Sequence, residues 1–222
     1  MKLIRDSNNL KPDFFVITGD GGTEYSILRG LCEKFRNSNK ILLFPKKVIL
    51  KQTGLQGLNA IKYIPKDFKI FKIIYTVDRD CFKKDIKNTR LNIKSNQEFD
   101  IIVEYLKTIG VKVSNIEPIE KACLINCSFS NYNIKLYCII LGMEVCLEEE
   151  IVILLKNKYN IDIDTSGSKN KEWKLKVKIE IEKNLKQIGK TKQDIIKDAG
   201  TKYLKEAFPN LYALFKLIEE EI

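Results

Sequence analysis

Apolar runs alternate with amphipathic stretches through the first half of the chain. Three runs have the length and the branched or aromatic residues of buried strands, at 13–18, 40–44 and 71–77. Three amphipathic or capped stretches follow them in turn, at about 24–36, 55–63 and 96–108. A last short run, 111–113, comes after Gly110. This alternation predicts an α/β fold in which a mostly parallel sheet is flanked by helices on both faces.

The second half begins with two more strand-like runs, at 121–127 and 135–141, and then becomes mostly helical. Three consecutive glutamates at 148–150 favour the start of a helix, because acidic side chains stabilise a helix N-terminus. From Trp173 onwards the pattern fits both an alternating strand and one face of a helix, and we favour the helix. A last helix is expected to begin at Pro209.

Basic residues outnumber acidic ones, with 39 Lys and Arg against 29 Asp and Glu, for a net charge of +10. Much of the excess lies in segment 169–205, which holds twelve lysines and five acidic residues. Such an imbalance indicates a polyanionic partner, and nucleic acid, either DNA or RNA, is the expected one. A solvated charged face is the alternative. The candidate phosphate contacts are Lys174, Lys176 and Lys178 in this segment, and Lys46 and Lys47 in an earlier loop.

The sequence also limits the compartment and the chemistry. No apolar run approaches about 20 residues, and the N-terminus lacks the apolar core of a signal peptide, so we expect no membrane association and a cytoplasmic location. The six cysteines are expected to be buried, reduced thiols, since none forms a C-x₂-C pair. Histidine is absent, which excludes Ser-His and Cys-His mechanisms. Catalysis would have to use carboxylates, lysine or metal-bound water.

Asp78 and Asp80 directly follow the strand at 71–77, the clearest buried-strand run in the chain. In an extended backbone the side chains at i and i+2 point to the same side. Two carboxylates held so close stay ionised only beside a cation, for which Mg²⁺ or Mn²⁺ is the simplest choice. The first strand also leads into an acidic turn, Gly19-Asp-Gly-Gly-Thr-Glu24. Because parallel strands share one carboxyl edge, both acidic groups are expected at that edge.

A glutamate after the first strand and an Asp-x-Asp after a later central strand resemble the Toprim superfamily. This is the metal-binding fold of topoisomerases, bacterial primases, small rRNA-maturing ribonucleases and OLD-type nucleases, and some members stand alone. The resemblance covers about residues 12–115 and is carried by the turn at 19–24 and by Val77-Asp-Arg-Asp-Cys-Phe82. It implies a Toprim-like metal-binding domain at 1–118. Residues 119–222 would then complete the sheet and add a lysine-rich, mostly helical C-terminal region.

The resemblance also implies roles for particular side chains. Asp78 and Asp80 match the strand-ending Asp-x-Asp and would be metal ligands. Glu24 matches the Thr-Glu element of the first motif and would be a ligand or general base, ahead of Asp20 as the acid of that motif. The segment around Glu148 is similar to a Gly-plus-Leu-Glu stretch of small Toprim families, which implies an extra acid for a second metal.

These expectations combine into a Mg²⁺-dependent nuclease, or a related phosphoryl-transfer enzyme, acting on nucleic acid. The alternative is a non-catalytic nucleic-acid-binding or regulatory module of Toprim-like form with a degenerate metal site. A glycosyltransferase that uses Asp-x-Asp for a nucleotide sugar is a third interpretation, which the short chain and the glycine-rich turn fit poorly. That turn also lacks the Gly-Lys-Ser/Thr ending of a P-loop. A protein partner or a homo-oligomer is left open.

Overall fold

Seven strands form one sheet within the residues that the structure describes. The structure is a computed structural model, and it describes residues 1–7, 10–18, 21–46, 54–80, 98–119 and 122–221. The strands are β1 (Lys2–Ile4), β2 (Phe14–Ile17), β3 (Ile41–Leu43), β4 (Lys72–Asp78), β5 (Lys112–Ile119), β6 (Ala122–Phe129) and β7 (Tyr132–Leu141). Their order across the sheet is β1-β3-β2-β4-β7-β6-β5. The three-residue strand β1 is too short for the hydrophobic pattern to predict.

The strands from β1 through β3, β2 and β4 to β7 run parallel, which confirms the mostly parallel sheet. β6 and β5 continue the sheet in antiparallel fashion. The run at 111–113 was expected to be a further parallel strand. It belongs to β5, which is the outermost strand of the sheet and pairs antiparallel with β6. Most of β5 is exposed, whereas the second half of β7 is buried throughout. The more apolar β7 therefore takes the central place beside β4.

Eight α-helices and one 3₁₀ helix lie within the described ranges. They are α1 (Gly22–Lys34), the 3₁₀ helix (Gly54–Lys62), α2 (Ile64–Phe68), α3 (Glu98–Thr108), α4 (Leu147–Tyr159), α5 (Lys171–Gln187), α6 (Lys192–Asp198), α7 (Thr201–Ala207) and α8 (Pro209–Glu220). The segment from Trp173 is thus helical, and the predicted helix near 55–63 is a 3₁₀ helix. The helix expected at about 96–108 corresponds to α3, and its first expected residues lie outside the described ranges.

The sheet separates two apolar cores. Successive side chains of β2 enter them alternately, Phe14 and Val16 on one side and Phe15 and Ile17 on the other. Helix α1 and helices α4 to α8 cover the first side, while the 3₁₀ helix, α2 and α3 cover the second. The prediction of an α/β fold with helices on both faces is therefore confirmed.

Two contacts fix the helices of the first side. Helices α1 and α6 cross so closely at Gly30 that a Cβ atom there would lie 2.7 Å from Cβ of Ile196. After α8, the carboxylate of Glu221 pairs with the ammonium groups of Lys72 at 3.0 Å and Lys135 at 2.8 Å. Lys72 and Lys135 are opposite each other on β4 and β7. The end of the described chain is thus attached to the amino-terminal edge of the sheet.

Pairing of β4 with β7 places strands from both sides of residue 118 in one sheet, and the division at that residue stays a prediction.

The described cysteines are buried, as expected for structural thiols, and they are Cys32, Cys123, Cys127, Cys138 and Cys146. Burial raises the pKa of the Cys32 thiol to about 12. Cys81 lies outside the described residues. None of the described helices combines the length and the apolar character needed to cross a bilayer.

Candidate functional site

The neighbouring strands β2, β4 and β7 end at one edge of the sheet, and an acidic segment follows each strand. After β2 comes the first turn of α1, which contains Glu24. Strand β4 ends at Asp78, opposite Leu141 at the end of β7. Strand β7 then continues through a turn, residues 142–146, into α4, whose first turn contains Glu148. The parallel topology therefore brings three acidic groups to the carboxyl edge.

Asp78 lies between α4 and α5. The backbone N–H of Leu147 donates to its Oδ1 at 3.2 Å, and the Lys174 ammonium donates to its Oδ2 at 2.7 Å. Only 14% of the Asp78 side chain is exposed. Burial raises the pKa of Asp78, and Lys174 opposes that rise. Burial acts to lower the pKa of Lys174, but the carboxylates, Asp78 first, raise it well above its ordinary value. Asp78 and Lys174 therefore form a buried ion pair.

Asp80 contacts the same ammonium group. Its Oδ1 lies 3.6 Å from Nζ of Lys174, and its side chain is 18% exposed. Arg79, between the two aspartates, pairs with Glu98 instead. One lysine thus supplies a cation to both carboxylates, which adjacent like charges require.

Glu149 closes the turn between β7 and α4. Its Oε2 accepts hydrogen bonds from the backbone N–H groups of Glu144 at 2.9 Å, Val145 at 2.8 Å and Cys146 at 3.3 Å. Its Oε1 accepts one from the Lys169 ammonium at 2.9 Å. Burial acts to raise the pKa of Glu149, but these hydrogen bonds hold it below its ordinary value. Glu149 is therefore a structural carboxylate with both oxygens in use.

Gly142 and Glu150 complete that turn. Gly142 has φ +85°, and a Cβ atom would lie 2.4 Å from the backbone nitrogen of Cys146, so only glycine fits. The Gly142 N–H donates to Oε1 of Glu150 at 2.9 Å. Burial raises the pKa of Glu150 to about 8. The hydrogen bond to Gly142 thus makes Glu150 part of the turn.

Glu148 is buried near Asp78 and pairs with a lysine of α5. Only 2% of the residue is exposed, and its Oε1 lies 3.2 Å from Nζ of Lys178. Its Oε2 is buried and has no hydrogen-bond partner. The charge of Glu148 contributes to the raised pKa of Asp78, so the two carboxylates are close enough to repel each other.

Glu24 is buried in the first turn of α1, which follows Gly21 in the left-handed conformation (φ 83°). It lines a small cavity together with side chains that include Thr76 and Leu147. Thr76 precedes Asp78 by two residues on β4, and Leu147 is the residue whose N–H binds Asp78. The structure thus places Glu24 beside the neighbours of Asp78. Asp20, the other acid of the first motif, lies outside the described residues.

The lysines predicted as phosphate contacts have different surroundings. Lys174 and Lys178 face the acidic side chains of the edge. Lys176 is 62% exposed and lies 3.6 Å from the exposed Asp164. Lys46 is also exposed and pairs with Asp6 at 2.9 Å. Lys47 lies outside the described residues.

Sequence reasoning missed that α5 faces the acidic edge. A signal was present, because Lys174 and Lys178 each follow a residue of the buried stripe of α5, namely Trp173 and Val177. Side chains adjacent to a buried stripe lie at the boundary with the neighbouring element, not on the solvated face. Lys169, just before α5, pairs with Glu149 and belongs to the same group of contacts.

Across the described ranges, histidine, cysteine, aspartate and glutamate side chains form no group of three or more that could hold a metal ion. Comparison with known proteins found no matching family model, no matching curated protein and no matching solved structure.

Proposed function

We propose that this chain is a Mg²⁺-dependent nuclease, or a related phosphoryl-transfer enzyme, of Toprim-like form that acts on nucleic acid. The observation that carries the proposal is the position of Asp78, Asp80 and Glu148 at the carboxyl edge of a parallel sheet, each with less than a fifth of its side chain exposed. Buried charges of one sign are costly unless cations neutralise them, and such costly groups concentrate at functional sites.

The donor set suits Mg²⁺ or Mn²⁺, because hard divalent cations prefer carboxylate oxygens. The buried Oε2 of Glu148 has no hydrogen-bond partner, and a cation would satisfy it. Asp78 and Asp80 would hold the metal through two carboxylates, with water and substrate phosphate oxygens completing its coordination. Glu24 would be ligand or general base, and Glu148 would be an acid for a second metal. When bound, such a metal polarises a phosphodiester and lowers the pKa of bound water.

The charge of the chain supports a polyanionic substrate. Its net charge is +10, and the exposed Lys176 and Lys46 are available for phosphate contacts. Contacts of this kind bind DNA or RNA without reading the bases.

A second candidate is a non-catalytic nucleic-acid-binding or regulatory module. One observation favours it: Lys174 and Lys178 already neutralise the acidic edge. If these ion pairs are permanent, the edge is a structural element and the basic surface alone is functional.

Cleavage of labelled single- and double-stranded DNA and RNA in Mg²⁺, Mn²⁺ or EDTA tests the proposal. The informative variant is Asp80→Asn, which removes a charged ligand but keeps the backbone N–H bond to Val145. The matched control is Asp162→Asn, because Asp162 is exposed and pairs with Lys156 away from this edge. We expect metal-dependent cleavage by the wild type and the control, and a loss of about 100-fold in Asp80→Asn. Binding without cleavage under every condition would support the non-catalytic module.

A further inference from the structure

One short segment supplies three ammonium groups to the acidic edge. Two of its lysines, Lys174 and Lys178, are four residues apart, a spacing that places them on one face of α5. The third precedes the helix. The pairs are Lys169 with Glu149 at 2.9 Å, Lys174 with Asp78 at 2.7 Å and Lys178 with Glu148 at 3.2 Å.

Lys174 occupies the region that a metal bound by Asp78 and Asp80 would need. Its Nζ lies 2.7 Å from one carboxylate and 3.6 Å from the other. A Mg²⁺ ion bound by the same oxygens would lie about 2.1 Å from them. Two cations cannot share this space, because their mutual repulsion and their overlap both oppose it.

The Lys174 side chain can also move away from Asp78 and Asp80. Its side chain is 21% exposed, so a route to solvent exists beside α5. Lysine carries its charge on a flexible four-carbon stem, which allows the ammonium to move while the helix stays in place. The oxygen of Glu148 that lacks a hydrogen-bond partner indicates that the present set of cations does not satisfy all the carboxylates.

We propose that Lys174 and a divalent cation exchange at the Asp78–Asp80 pair, an inference that rests on the metal-dependent function proposed above. Without metal, the Lys174 ammonium is a counter-ion of Asp78 and Asp80. When metal binds, the ammonium leaves the pair and contacts a phosphate group of the nucleic acid. Metal binding and substrate binding are thereby coupled through one side chain.

Calorimetric titration with Mn²⁺ tests the exchange. Lys174→Gln removes the competing cation, so we expect Mn²⁺ to bind about tenfold or more tightly than to the wild type. Lys176→Gln, two residues away on the exposed side of α5, is the matched control and should bind Mn²⁺ as the wild type does. Equal or weaker binding by Lys174→Gln would overturn the exchange and leave the metal site standing. Absence of Mn²⁺ binding in all three proteins would overturn the metal site itself.

A second measurement uses the unaltered chain, because Lys174→Gln removes the ammonium that pairs with the buried Asp78 and can disturb the fold. Lysines are labelled by reductive methylation in Mg²⁺ or in EDTA, and the sites are quantified by mass spectrometry. We expect Mg²⁺ to raise the labelling of Lys174 several-fold and to leave that of Lys176 unchanged. Equal labelling of Lys174 at saturating Mg²⁺ contradicts the exchange.

Discussion

Glu148, Glu149 and Glu150 are consecutive in the sequence, yet each carboxyl group has a different environment. Glu148 pairs with Lys178, Glu149 accepts the backbone N–H groups of the preceding turn, and Glu150 is enclosed by protein. The sequence predicts an acidic helix start here, and α4 confirms it. The sequence does not predict the partner of each glutamate. Successive residues on a helix point about 100° apart, and their partners come from distant segments.

At this scale we predict that Glu150→Gln removes a pH dependence of stability. The folded-state pKa of Glu150 is about 8, above the ordinary value of 4.5, so the folded chain holds a proton that the unfolded chain releases between these values. Wild-type stability should therefore fall as pH rises through this window, by at most about 1.4 kcal/mol per pH unit relative to the variant. Glutamine keeps an acceptor for the Gly142 N–H.

Urea unfolding of both proteins from pH 5 to pH 7.5 measures this effect. Because Asp78 interacts with Glu150, the difference between the two proteins includes the effect of Glu150 on Asp78. A difference in the free energy of unfolding that stays constant with pH would contradict a raised pKa for Glu150.

At the scale of elements, α5 presents an apolar stripe to the core and lysines to the acidic edge. The stripe consists of Trp173, Val177, Ile181 and Leu185, each four residues after the last. A spacing of four residues is typical of a helix, because a strand would bury every second residue. The lysines beside this stripe indicate that they lie at a boundary with another element. They do not indicate which element it is, because the position of α5 near the end of β4 depends on the turn after β7 and on ion pairs between distant segments.

The crossing of α1 and α6 yields a prediction about Gly30. A Cβ atom there would lie 2.7 Å from Cβ of Ile196 and 2.9 Å from the backbone oxygen of Gln193. Alanine is favoured over glycine within a helix by about 1 kcal/mol, but the overlap should outweigh this gain. We expect Gly30→Ala to lower the free energy of unfolding by about 1–3 kcal/mol.

Gly22→Ala is the matched control for urea unfolding, because a Cβ atom at Gly22 meets nothing within 4 Å. It should be neutral or slightly stabilising. If Gly30→Ala is as stable as this control, α1 and α6 are farther apart than the structure indicates.

At the scale of the molecule, the candidate site and the attachment of the chain end lie at opposite ends of the strands. Asp78 ends β4 at the carboxyl edge, while Lys72 begins β4 at the amino edge and binds Glu221. The class of fold and the acidic edge follow from strand and helix alternation. The place of β7 between β4 and β6 does not, because strand order depends on which apolar strand is buried most completely.

The attachment of the chain end predicts a second pH effect. Burial acts to raise the pKa of Glu221, but Lys135 and Lys72 lower it to about 2. The stabilisation is therefore complete above the ordinary value of 4.5 and is lost as pH falls toward 2. We expect Glu221→Gln to cost about 1–2 kcal/mol at pH 7, a modest value because the lysines are partly exposed.

The cost of Glu221→Gln should shrink as pH falls from 5 to 3 in thermal unfolding experiments. Glu220→Gln, which changes the exposed neighbour, is the control and should have little effect at any pH. A cost that is the same at pH 3 and pH 7 would rule out the ion pairs as its source.

The distance along the chain between Asp78 and Lys174, 96 residues, has a consequence for the order in which the molecule is assembled. Strand β4 is synthesised well before β7, so one of its edges stays unpaired until the second half of the chain emerges. The Asp78 carboxylate gains its ammonium later still, when α5 docks. While the chain is growing, the Asp78 carboxylate is therefore hydrated. Its contact with Lys174 is slow to form, because a long loop of chain must close first.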